Sequence, residues 1–121
     1  MPDHLTAMQI AFGLCALGAA GGVLISGLQL VGAGRITVPL GRLHGIAGLL
    51  GMALLFAINL RGEATTPGAA WAGLVVLVLG ALGGLVLLRT LFDGRPPLWL
   101  ALGHGAVGVA GLWLLWPLVQ G

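Results

Sequence analysis

From Leu5 to Ala33 the chain runs without a charged side chain, broken only by Thr6, Gln9, Ser26 and Gln29. Three more apolar runs follow, at about 40–60, 69–92 and 98–119, separated by short segments that hold most of the charge. Each run is long enough to span a bilayer as a helix, the first with some tilt. Composition agrees: 59% of the 121 residues are hydrophobic and 7% charged, and the mean hydropathy is +1.11, far outside the range of soluble globular domains. The expected fold is therefore an all-α integral membrane protein, a four-transmembrane-helix up-down bundle in one membrane domain, residues 1–121.

The breaks between the runs carry turn chemistry. Gly34 ends the first span, and Pro39 stands in the first turn of the second, where a helix accepts proline. Arg61 to Gly68 is the only frankly polar loop, and Asp93-Gly94-Arg95-Pro96-Pro97 makes a tight turn. The first span is not read as a signal peptide, because Asp3 and His4 precede it rather than Lys or Arg. Arg35, Arg42, Arg89 and Arg95 fall on one side of the spans and Arg61 on the other. The positive-inside rule then predicts both termini outside, in a membrane such as the bacterial inner membrane. Trp99 at one end of the fourth span and Trp113 and Trp116 at the other suit interfacial belts. Twenty-three glycines and no Tyr suggest helices that approach through small residues.

One pattern occurs twice: His44-Gly45-x-x-Gly48-x-x-Gly51 and His104-Gly105-x-x-Gly108-x-x-Gly111. On a helix, the glycines four and seven positions after each His lie within about 40° of it, so each His heads a groove without side chains. The match extends further. Leu17-Gly18-Ala19-Ala20-Gly21-Gly22-Val23 aligns with Leu79-Gly80-Ala81-Leu82-Gly83-Gly84-Leu85 at an offset of 62, and Arg35 to His44 and Arg95 to His104 are both nine apart. Two tandem two-helix repeats, about 5–60 and 69–119, are expected, related by an axis along the membrane normal, with both His at one depth.

Ionisable residues within spans are costly and are functional candidates by default. Two imidazoles on facing helices are suited to supply the axial ligands of one haem b. On this reading His44 and His104 hold the iron, and Gly45, Gly48, Gly51, Gly105, Gly108 and Gly111 give the porphyrin room. Arg35, Arg42 and Arg95, toward the same membrane face, are candidates to pair with its propionates. At motif level the two eight-residue stretches resemble the haem-carrying helices of membrane b-type cytochromes, where histidines on facing helices sandwich a haem beside glycines. Many such cytochromes carry two haems on four histidines. Here His4 lies in the tail and Gln9 is no usual ligand, so the resemblance implies a single haem and a partner that moves the electron onward.

Other readings compete. The cofactor-free alternative is a structural or anchor subunit of a larger membrane complex, its histidines bonded to neighbouring carbonyls. A quinone hydrogen-bonded by His44 or His104, or a chlorophyll-type pigment on one His, uses the same residues. Expected partners are the lipid bilayer and other membrane subunits or a second copy. No nucleic acid is expected, since the pI near 10.1 reflects only five Arg against three acids. Ion-coupled transport of the kind that needs a carboxylate within a span is disfavoured, because Asp3, Glu63 and Asp93 lie outside the runs. Cys15 stands well away from the expected depth of the histidines, and phosphate loops are absent. A redox or accessory subunit is therefore expected rather than a stand-alone enzyme, with Ser26 a candidate hydrogen-bond partner for one histidine.

Overall fold

The computed structural model describes residues 3–33, 37–93 and 97–121, the side chains of 90–93 excepted. The chain is four helices: α1 His4–Leu30, α2 Thr37–Leu60, α3 Pro67–Asp93 and α4 Leu98–Leu115, the last running into a 3₁₀ turn at Trp116–Val119. No strand occurs among the described residues. All four helices, counting the turn with α4, are long and apolar enough to cross a membrane.

The helix ends follow local chemistry. The Asp3 carboxylate accepts from the Thr6 N–H at 2.7 Å, capping α1. At the other end Gly32 takes φ 79°, and the Ala33 N–H closes back on the Leu28 carbonyl at 2.9 Å. That left-handed closure stops α1 short of the expected limit at Ala33. Gly62, at φ 67°, ends α2 the same way, with Glu63 N–H on the Ile58 carbonyl at 3.2 Å. Pro67 opens α3, where its missing N–H costs no helical bond. At the end of α4, Pro117 stands in the first turn of the 3₁₀ segment.

Consecutive helices pack as antiparallel neighbours, most closely within the α1–α2 and α3–α4 hairpins, and α4 returns against α1. Helices α2 and α4 therefore lie on a diagonal. Burial is concentrated at the end that carries the α2–α3 loop. There Met8, Ala11, Leu55, Ile58, Ala70, Leu74, Leu115 and Leu118 form one cluster drawn from every helix and the closing turn. Phe12 meets Trp116 at 5.7 Å between ring centroids, and Gln9 Nε2 donates to the Val119 carbonyl at 3.1 Å, tying the closing turn to α1. The burial stops at four glycines, Gly18, Gly51, Gly80 and Gly111. Toward the opposite end, Thr37 is the only buried residue among the described side chains.

Candidate functional site

His44 and His104 lie in the thinly packed half of the bundle, one on each of the diagonal helices, and both are half-buried. Their rings are neighbours in an edge-to-face arrangement, with centroids 5.8 Å apart and planes at 83°. Each ring is also held by its hairpin neighbour. His44 Nδ1 lies 2.5 Å from the Gly18 carbonyl oxygen on α1, and His104 Nδ1 lies 2.7 Å from that of Gly80 on α3. A carbonyl oxygen only accepts, so Nδ1 is the donor. In the neutral ring this puts the proton on Nδ1 and leaves the lone pair on Nε2. A backbone acceptor on one ring nitrogen is the arrangement that orients an imidazole whose other nitrogen binds a metal.

Both carbonyls have a local cause. A helix carbonyl is normally committed to the N–H four residues on, and a second bond to it requires close approach by the donor. Glycines supply that approach. A Cβ on Gly18 would stand 3.3 Å from Gly48 N, and one on Gly22 would stand 3.2 Å from His44 Cε1. In the second hairpin a Cβ on Gly84 would lie 2.9 Å from His104 Cε1. The glycines of α1 and α3 thus make room for the imidazoles themselves.

The six glycines of the His motifs divide into two groups. Gly51 and Gly111 are buried packing positions. A Cβ on Gly51 would meet Cys15 Sγ at 2.5 Å and the Ala11 carbonyl oxygen at 2.9 Å, and one on Gly111 would meet Leu77 at 2.7 Å. Gly45, Gly48, Gly105 and Gly108 differ: a Cβ at any of them would have no neighbour within 4 Å. Space is therefore open beside these four glycines, in the half of the bundle where no large side chain is buried among the described residues.

Arg42 is exposed on α2, two residues before His44. Arg35 and Arg95 lie outside the described residues. Ser26 does not reach a histidine, because its hydroxyl donates to the Gly22 carbonyl of its own helix at 3.0 Å. That back-bond to i−4 is the common fate of a helical serine in apolar surroundings. Among the described residues no cluster of three or more His, Cys, Asp or Glu exists, so a bare ion at the histidine pair would find two protein ligands. A groove of about 400 Å³ between α2 and α3, bounded by Leu49, Phe56, Val78 and Leu85 among others, is lined only by apolar side chains. Sequence reasoning found the histidine pair but not the Gly18 and Gly80 carbonyls, because a backbone acceptor has no residue signature. Compared with protein families, curated proteins and solved structures, the chain matches none.

Proposed function

We propose that this chain is a membrane haem b protein or electron-transfer subunit in which His44 and His104 are the two axial ligands of one haem. The observation that carries the reading is the adjacent pair of imidazoles on diagonal helices, each with Nδ1 committed to a backbone carbonyl and Nε2 left as the lone-pair nitrogen. The spacing is compatible. With a metal–nitrogen bond of about 2 Å on each side and about 1 Å from each nitrogen to its ring centre, two imidazoles that both turn Nε2 to one metal have ring centres roughly 6 Å apart. The rings here are 5.8 Å apart. The donor set fits as well, since two imidazoles alone under-coordinate a free ion but complete a metal whose other four positions a macrocycle fills.

On this reading the histidines hold the iron, Gly45, Gly48, Gly105 and Gly108 leave the macrocycle room, and the apolar half-bundle limits water. Gly51 and Gly111 act one step back, by letting the hairpins close. Bound haem would supply one-electron chemistry, and Arg42, Arg35 and Arg95 are the cations available to pair with its propionates. The four helices would sit in a bilayer with both termini outside, as the arginine asymmetry suggests. The two hairpins would be tandem repeats, since each sets a histidine against a glycine carbonyl of its own first helix.

One observation favours a second reading, a cofactor-free subunit whose histidines staple hairpins: both Nδ1 atoms are already satisfied within the chain. Such staples are modest, since interhelical side-chain hydrogen bonds in membranes contribute on the order of 1 kcal/mol each. Haem stoichiometry separates the readings. Protein produced with ample haem should carry one per chain by pyridine haemochrome assay, and His44→Ala and His104→Ala should each lose low-spin haem. Variants that keep full low-spin haem would overturn the ligand assignment.

A further inference from the structure

We infer that Gly22 and Gly84, with the carbonyls of Gly18 and Gly80, are positioning residues that hold the planes of His44 and His104 nearly perpendicular. The spectroscopic consequence of this rests on the haem reading; the crossed ring geometry does not. The planes stand at 83°. Two constraints fix each ring. The Nδ1–H bond to Gly18 or Gly80 pins one edge, and the ring near Cε1 occupies the space that a Cβ would take at the glycine four residues further along α1 or α3. A methyl at that glycine would press on the ring and turn it, by a required shift at Gly84 and by a few tenths of an ångström at Gly22. The intrusion is deepest at Gly84, whose Cβ would come to 2.9 Å from Cε1 and 3.5 Å from both ring nitrogens. It is intermediate at Gly22, at 3.2 Å from Cε1, and absent at Gly83, where His104 Nδ1 would be at an ordinary 3.9 Å. The walls, rather than the ring-to-ring contact, set the angle.

Ligand-plane angle is one of the means by which a protein tunes an axially ligated iron. Crossed imidazoles leave two of the iron d orbitals nearly degenerate and parallel ones split them, while hydrogen bonds to the ligands adjust basicity. A ferric bis-histidine centre built on this frame should therefore give a low-spin EPR spectrum dominated by one large g value, rather than the three-line rhombic signal of parallel planes.

Two measurements test the proposal together. In histidine-labelled apoprotein in aligned bilayers, nitrogen-15 NMR should find both rings protonated at Nδ1 and crossed. The Nε2–H tautomer, or parallel rings, would overturn it. In the haem-loaded ferric protein, EPR should give the single large g value. Gly84→Ala should lower that value most, Gly22→Ala less, and Gly83→Ala should leave it unchanged. A rhombic spectrum from protein whose haem is lost in His44→Ala and His104→Ala would sink the positioning claim and leave the ligand assignment standing. If no haem binds, the haem reading fails, and the ring orientation in the apoprotein decides the positioning claim alone.

Discussion

Substituting alanine along the His motifs should separate glycines that pack from glycines that make room. At Gly48 and Gly108 an added Cβ meets nothing within 4 Å, so the main effect on the apoprotein is the helix gain of alanine over glycine, about 0.5–1 kcal/mol. At Gly51 the same methyl lands 2.9 Å from the Ala11 carbonyl oxygen and 3.0 Å from Cys15 N, besides 2.5 Å from Cys15 Sγ. Two of those three atoms are backbone, so relief requires moving α1 away from α2. Overpacking of this kind costs about 1–3 kcal/mol, and after the helix gain a net loss of roughly 1–2 kcal/mol remains. Cys15→Ala in the Gly51→Ala background removes only the sulfur contact and should restore less than half of the loss. Gly111→Ala meets the Leu77 side chain at 2.7 Å, with the nearest backbone atom at 3.5 Å, so Leu77→Ala should relieve that clash largely. Reversible unfolding in mixed detergent micelles, followed by circular dichroism on haem-free protein, measures each term. Gly48→Ala as destabilising as Gly51→Ala, or full rescue by Cys15→Ala, would refute the reasoning. In haem-loaded protein the order should change: Gly48→Ala and Gly108→Ala should lose haem affinity without losing apoprotein stability.

Other consequences follow from particular contacts. Asn59 is buried at 7% exposure, with neither side-chain polar atom hydrogen-bonded. Asn59→Leu should therefore stabilise the apoprotein by about 1–3 kcal/mol in the same unfolding assay, and a loss of stability would contradict the assignment of an orphaned amide. The Asp3 carboxyl lies below its ordinary value of 3.8, first through its bond from the Thr6 backbone N–H and then through the Thr6 hydroxyl. A depressed carboxylate stabilises above its unfolded pKa, and the benefit is lost as pH falls through the folded value, so fraying of α1 should set in below pH 3.8. Asp3→Ala should show that fraying already at neutral pH, as lost protection of the Thr6 and Ala7 amides; unchanged protection would refute the cap. Gln9→Ala removes an exposed bond to the Val119 carbonyl and should free the 3₁₀ turn while costing the bundle under about 1 kcal/mol, which exchange of the turn amides checks.

The four helices were legible because each depends on a long, mostly apolar run and on punctuation such as Gly62, Pro67 and Pro97. The nearness of His44 and His104 was legible as well, since the repeated motif sets both histidines at one depth on diagonal helices. The division of labour among the glycines was not. Gly48 and Gly51 both lie on the histidine's face at helical spacing, yet Gly51 meets Cys15 and Gly48 has space for a Cβ, a difference set by where α1 crosses α2. Gly22 and Gly84 entered only through the alignment of the two halves, and they turn out to lie against imidazoles. Ser26, the polar side chain that sequence nominated as a histidine partner, bonds its own helix instead. Helix-to-helix register decides these contacts, and register is a property of the assembled bundle.

The most direct test of the paired-histidine site is the visible spectrum of the detergent-purified protein, oxidised and then reduced with dithionite. The account predicts the sharp pair of reduced bands of six-coordinate low-spin haem b. A preparation made with ample haem that is colourless, and stays so after haem is added, would contradict it.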